Sequence, residues 1–290
     1  MNVSVEDEAP RSSEDPAFRD TVTFAFGDPA AKVFGLARVG TGGGDASGFA
    51  VVYSGNELAG ASTDAASVRS TVRTPLEAWT AAYEGPDAGF DLRFDAVSAP
   101  AVLDAEEPVA RAGGMAGYEQ LCAVEGTVLV GGRSIDVRCL GQRGHLWGTP
   151  DWSKIELART LTAWMGADRA VTLTAVRPAK AKHHDEEAVA GYLIDGGEPR
   201  AIFDPRLSTT YDGELRQRRA GLELWMSAEG DHARRVAGAA VCGTTVDLGD
   251  LRLDSAFFAW RMEGRVGTGR YDVLRRVNDN GGGVLRRRNR

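Results

Sequence analysis

The sequence predicts an all-β protein built as two barrels or sandwiches in series. Two observations lead there. Apolar residues recur with a period of two in runs of six to twelve, and turn clusters separate the runs at intervals of 8–15 residues. The pattern starts again after Trp152, so the strands divide into two sets. Residues 1–20 carry Glu, Asp, Ser and Pro with almost nothing to bury, and are expected to be disordered. The first β domain then covers 21–152 and the second 153–278, with a Gly- and Arg-rich flexible tail over 279–290.

Taken in order, Thr21, Val22, Thr23, Phe24, Ala25 and Phe26 alternate and end at a Gly-Asp-Pro turn. Further strands are expected over 32–39 and 48–53, and over 67–82 a strand followed by a loop, with Trp79 as an apolar anchor. Phe90, Leu92, Phe94 and Ala96 share one face of a half-buried strand, with Asp91, Arg93 and Asp95 on the other. Residues 99–114, with Pro100 and Pro108, read as loop. Residues 118–130 and 134–140 flank Gly131-Gly132 as a hairpin. In the second half, 155–165 is a strand or a short helix. Strands are expected over 169–177, 189–194, 198–203, 221–226, 236–246, 257–266 and 269–277. Asp195-Gly196-Gly197 makes another hairpin turn, and the Asp204-Pro205-Arg206, Tyr211-Asp212-Gly213 and Asp247-Leu248-Gly249-Asp250 pieces read as turns.

The totals narrow the function classes. Of the 290 residues, 43% are apolar and 26% charged, so a core of ordinary size is available. A net charge of -7 argues against a nucleic-acid partner. No run approaches the roughly 18 apolar residues of a membrane-spanning helix, and the acidic start lacks a signal peptide's pattern. The expected location is cytoplasmic. Cys122, Cys139 and Cys242 are an odd number without ligand spacing, so they read as small buried hydrophobes. No dinucleotide, Walker, nucleophile-elbow or zincin motif is present, which leaves no cofactor to expect and no metal residues to assign. The His183, His184, Asp185, Glu186, Glu187 run is better read as a solvated hairpin tip than as a metal cluster.

The chemistry concentrates in residues 141–152, where His145, Trp147, Asp151 and Trp152 fall within eight positions. On a strand His145 and Trp147 share a face. An imidazole beside an indole suits an apolar pocket with one reactive point, or equally a buried structural pair. Asp151 is either an acid or a turn cap, and Arg143 a stacking or salt-bridge partner. Tyr118 and Glu119 face opposite ways. Glu119 is a candidate general acid if it points inward, and a surface charge otherwise. Trp225 and Trp260 line either a cavity or a core.

These residues carry a resemblance. Tyr118-Glu119-Gln120, Gly126, residues 141–148 and Asp151-Trp152 resemble the Gly-x-Arg-Asp-His-Ser-Trp-Gly-x-Arg-Asp-Trp signature. That signature belongs to the lipocalin-like superfamily of carotenoid 1,2-hydratase, AttH-like proteins and related Diels–Alderases. The resemblance implies two consecutive lipocalin-like β-barrels and a hydrophobic small-molecule substrate. It also implies a cofactor-independent reaction, a proton-assisted hydration, cyclisation or isomerisation of a polyene, terpenoid or polyketide. Of the family's functional residues His145 and Trp147 carry over; in the enzyme reading His145 is the proton relay, Glu119 or Asp151 the catalytic acid, and Trp147, Trp152, Tyr118, Trp225 and Trp260 bind substrate. The alternative is a non-catalytic binder of a hydrophobic ligand. Two positions depart from the signature: Gly144 replaces its Asp, removing an expected orienting partner of His145, and Pro150 replaces its second Arg. The hydratase's Tyr-x-Asp acidic pair is also missing from the comparable stretch, residues 171–175.

Overall fold

The structure is a computed structural model that describes residues 3–277 except 43, 182, 184, 185 and 231. Nineteen strands lie among the described residues, all paired antiparallel in two sheets. The first holds β1 (Arg19–Asp28), β2 (Val33–Gly42), β3 (Asp45–Ser54), β4 (Glu57–Ser62), β5 (Val68–Thr74), β6 (Ala78–Glu84), β7 (Ala88–Ala96), β8 (Ala101–Leu103), β9 (Met115–Val130) and β10 (Arg133–Gly148). The second holds β11 (Ile155–Gly166), β12 (Arg169–Pro178), β13 (Ala188–Asp195), β14 (Glu198–Ala201), β15 (Asp204–Tyr211), β16 (Gln217–Trp225), β17 (Arg234–Asp247), β18 (Leu251–Met262) and β19 (Arg265–Arg276). The orders are β4-β3-β2-β1-β10-β9-β7-β6-β5, with β8 beside β9, and β14-β13-β12-β11-β19-β18-β17-β16-β15. Each sheet curls around its own core. In the first, Val52 near one end and Val68 at the other belong to the same cluster as Phe24, Phe94 and Val124. In the second, Leu193 and Leu207 join Leu222, Phe258 and Tyr271.

Local sequence explains the longest hairpin. Gly131 and Gly132 have φ of 54° and 78°, the pair of positive values that a type I′ turn between twisted strands requires. The turn sets the register of β9 and β10, which pairs Tyr118 with His145 and Glu119 with Gly144. The stretch 155–165 is strand throughout. Residues 67–82 form two strands, and 99–114 contains β8 and a short helix, α1 (Pro108–Gly113), with proline at its first turn. Asp204-Pro205-Arg206 begins an edge strand rather than a turn; an edge position tolerates proline because its missing N–H faces away from the ladder.

The segment before β1 is not the disordered leader its composition suggested. Val5–Glu8 form a 3-10 turn, and Glu8 is buried against the first barrel. The polar composition serves charge pairing, described below, instead of apolar burial. The 183–187 run also differs from a simple solvated tip. His184 and Asp185 lie outside the described residues, but Glu187 is buried on Arg159. The tail at 278–290 likewise lies outside them. No helix among the described residues is long and apolar enough to cross a membrane.

The two barrels share an interface. Phe34, Phe49, Tyr53 and Leu121 of the first meet Trp164, Ile194 and Phe257 of the second. The Phe34 and Phe257 rings are 5.5 Å apart. Strand β1 is therefore buried on both faces, with Phe24 and Phe26 inward and Ala25 toward the second barrel. Charges are buried here too. Arg270 donates to Glu119 (3.1 Å), to Gln142 (3.2 Å) and to Asp272. Nearby, burial first and the Arg270 charge second hold Arg38 below the usual guanidinium range. Removing Arg270 would strand two carboxylates in a dry interface. Arg270→Met is expected to lower the unfolding free energy by roughly 3 kcal/mol, the low end for breaking a buried pair because Arg38 remains. Urea denaturation measures it; a loss below about 1 kcal/mol would mean that the interface behaves like a solvated surface pair.

Candidate functional site

The inner face of β10 carries Arg143, His145 and Trp147, and the inner face of β9 carries Tyr118 and Gln120. The strand period puts these side chains on the same side as the barrel core residues Cys122, Val124 and Val137. Gly117, between these inner positions, has φ of 147°, and a Cβ there would stand 2.0 Å from the His145 carbonyl oxygen. Glycine at that point lets β9 and β10 press together beneath the ring. His145 and Trp147 meet edge to face at 5.1 Å, and Tyr118 stands 6.0 Å from His145 and 6.2 Å from Trp147. All three expected partners therefore converge.

His145 does not lack an orienting carboxylate. Its Nε2 lies 2.7 Å from Oδ1 of Asp20, on the neighbouring β1. A carboxylate only accepts, so Nε2 is the nitrogen that donates to Asp20, and Nδ1 has no hydrogen-bond partner. Asp20 Oδ2 accepts the backbone N–H of Arg11 at 2.9 Å. The signature's Asp position could not have done this work. Gly144 faces the opposite side of β10, and a Cβ there would meet Glu119 Cγ at 3.3 Å. The carboxylate that stands over Gly144 is that of Glu119, on β9.

Glu119 is accordingly not the acid beside His145. It faces the second barrel, where it pairs with Arg270 and accepts from the Thr172 hydroxyl. The crevices beside it have room for about one water, roughly 10 Å³ and 20 Å³. Asp151 is also elsewhere. It is exposed in the loop after β10, where hydrogen bonds from Lys154 and Ser153 pull its carboxyl down to about 2. It is a turn cap. Trp152 packs outside the barrels with Val109, Ile155 and Val176. Trp225 is half-buried under Arg206, and Trp260 stacks on Phe258 in the core of the second barrel. None of these three reaches His145's cluster.

Four further residues complete the site. Glu8 enters from the N-terminal segment. Its Oε1 accepts from the Tyr118 hydroxyl (2.8 Å), and its Oε2 from Trp79 Nε1 (3.0 Å) and Arg143 Nη2 (2.8 Å). The Arg143 guanidinium lies between the Trp79 and Tyr118 rings, 5.0 Å and 4.9 Å from their centroids. Arg143 is thus both stacking and salt-bridge partner. Arg11 covers Trp147 at 3.7 Å and pairs with Asp7. Burial, the largest influence, pushes the Tyr118 hydroxyl well above its ordinary range, so it stays a neutral donor. Asp20 was legible in principle: it extends the inward set Val22, Phe24, Phe26 by one step. Glu8 had no such signal, because its partners are 71, 110 and 135 residues away.

The fold and the site define a two-barrel lipocalin-like protein with a buried, aromatic-walled His-Asp pair in its first barrel. The chain belongs to the family described as Domain of unknown function (DUF7064), which matches residues 4–277. No curated protein matches it by sequence. Solved structures share the fold at low identity. CghA, solved with Sch210972, is 12% identical, with TM-score 0.64 over 92% of this chain and 90% of that one. A putative AttH from Nitrosomonas europaea is 12% identical, with TM-score 0.63 over 92% and 95%. Kievitone hydratase from Nectria haematococca is 10% identical, with TM-score 0.64 over 94% and 93%. At these identities the likeness shows the fold, two lipocalin-like barrels in series.

Two measurements check this geometry. Nitrogen-15 spectra of the histidine side chains should show a hydrogen-bonded proton on His145 Nε2, and Asp20→Ala should lose that signature. The thiols offer a second check. Burial pushes Cys122, Cys139 and Cys242 up to about 12. A raised value means protonated thiol at pH 8.5, so iodoacetamide should add nothing to the native protein and three groups after guanidinium unfolding. A fast native adduct by intact mass would mean an activated cysteine.

Proposed function

We propose that this protein is a cofactor-independent enzyme acting on a hydrophobic polyene, terpenoid or polyketide by proton-assisted cyclisation, isomerisation or hydration. The His145–Asp20 contact carries this reading. A buried imidazole held by a carboxylate at 2.7 Å can take a proton at Nδ1, while Asp20 stabilises the charge that develops on the ring. In an isomerisation Nδ1 removes a proton from a carbon whose electron pair delocalises into the polyene or a carbonyl, and the imidazolium returns that proton to another carbon as the double bond shifts. In a hydration Nδ1 accepts the proton of the water that bonds to one end of a carbonyl-conjugated double bond, and the imidazolium returns it to the other end. Asp20 balances the ring charge between these steps. In a cyclisation the rings of Trp147 and Tyr118 orient the substrate, and orientation supplies most of the rate. Glu119 and Asp151 have no part in this scheme. The kievitone hydratase and CghA folds add support by analogy only.

A second reading is a non-catalytic carrier of the same ligand class. The observation that favours it is Val171-Thr172-Leu173-Thr174-Ala175, which offers hydroxyls where the hydratase resemblance calls for an acidic pair.

Linear polyenes and polyprenyl compounds incubated in oxygen-18 water separate the readings by mass spectrometry. A product heavier by one labelled water establishes hydration. An isobaric product with new retention establishes isomerisation or cyclisation. For either, His145→Ala and Asp20→Asn are expected to lower turnover by about 10²–10⁴-fold, the usual contribution of a positioned acid–base group. Retained but unmodified compound would leave the carrier.

A further inference from the structure

The donors around Glu8 belong to the barrel, and Glu8 does not. Trp79 comes from β6, Tyr118 from β9 and Arg143 from β10, and all three are fully buried. Glu8 arrives on a segment that pairs with no strand. Its backbone hydrogen bonds close on itself, Asp7 to Ser4, Ala9 to Glu6 and Phe18 to Asp15, apart from the Arg11 N–H on Asp20. Such a segment opens at lower cost than any strand of the barrel.

The site also holds more capacity than Glu8 uses. Arg143 Nε and Nη1, His145 Nδ1 and Gln120 Oε1 are buried on the same inner face with no hydrogen-bond partner. These are polar atoms of side chains exposed by 1–2%. If the segment left and a neutral ligand entered, the Arg143 charge would remain buried without a counterion, which is strongly unfavourable. The entering molecule has to bring an anion of its own.

We propose that Arg143, Trp79 and Tyr118 form a carboxylate subsite in the first barrel, that Glu8 is its tethered occupant, and that the ligand is an amphipathic monocarboxylate. Its carboxylate replaces that of Glu8. Its apolar, unsaturated body lies where Arg11 now covers Trp147, next to His145. The N-terminal segment is then a plug that the ligand displaces, and apparent affinity is reduced by the fraction of molecules in which the plug is seated. This rests on the reading that the ligand lies beside His145, and a binding measurement tests it independently of turnover.

The probe is trans-parinaric acid, a fluorescent polyene carboxylate, with its methyl ester as the uncharged control. Full-length wild type and Glu8→Gln are titrated with each. The variant keeps the side-chain shape but removes the competing charge. It is expected to bind the acid at least tenfold more tightly than wild type, because a weakened plug is seated in fewer molecules. The ester, which leaves Arg143 without a counterion, is expected to bind Glu8→Gln at least tenfold more weakly than the acid does. Equal affinity of both proteins for the acid, or equal affinity of Glu8→Gln for acid and ester, would overturn the subsite. Should Glu8→Gln not fold, hydrogen exchange in the wild type decides: amides of residues 4–11 are expected to exchange faster with the acid present and not with the ester. Unchanged exchange would overturn it. Failure of turnover with tight, Glu8-dependent binding would sink the enzyme reading and leave the subsite standing.

Discussion

A charge carried into a barrel must find its opposite there, and in this protein that constraint determines the site. Strand β10 sends Arg143 and His145 inward, among phenylalanines and valines that offer no counterion. An unpaired guanidinium in such surroundings is unfavourable by far more than a hydrogen bond returns. The partners come from outside the β9–β10 hairpin: Glu8, on the segment before β1, is the counterion of Arg143, and Asp20, at the start of β1, accepts from His145 Nε2. The acidic leader is ordered for this reason. Its composition resembles that of a disordered tail, yet one carboxylate in it answers a charge that the barrel cannot answer itself.

The same constraint holds on the opposite face. The even positions of β10 and odd positions of β9 look toward the second barrel. Gly144 leaves space there, Glu119 fills it, and Arg270 of β19 neutralises it. A polar network thus crosses the interface alongside the Phe34–Phe257 contact. It holds the barrels in one orientation, since a slip would separate Arg270 of β19 from Glu119 of β9 and Gln142 of β10. Two carboxylate systems one strand-thickness apart therefore do different jobs. One orients an imidazole, and the other fixes two domains.

The strands were largely legible because alternation and glycine turns act locally. The 90–96 run and the Gly131-Gly132 and Gly196-Gly197 hairpins needed no tertiary information. Which way Glu119 points did need it. Strand β9 is buried on both faces between residues 116 and 122, so no polar side marks the exterior. Period two says that Tyr118 and Glu119 diverge, but not which of them enters the barrel. Period two also decides the matter of Gly144. Adjacent residues on a strand cannot share a face, so no side chain at that position could orient His145, and its replacement by glycine removes nothing from the imidazole. Trp152, Trp225 and Trp260 show the other limit. An indole in a strand-rich sequence is as good a core or surface anchor as a pocket wall.

The second barrel supplies the comparison that gives the first its meaning. It too buries an arginine, Arg159, neutralised by a glutamate, Glu187. There every donor group of the guanidinium is engaged: Nε and Nη2 by Glu187, Nη1 by Thr209 and Tyr271. Glu187 directly precedes β13 and cannot leave without unravelling that strand's start. Arg143 is met by a glutamate on an unpaired segment, and two of its nitrogens have no partner. Unequal satisfaction of the two arginines separates a fixed ion pair from one whose anion can exchange. A buried donor left open costs stability, and at Arg143 the open donors stand beside a glutamate that no strand holds in place.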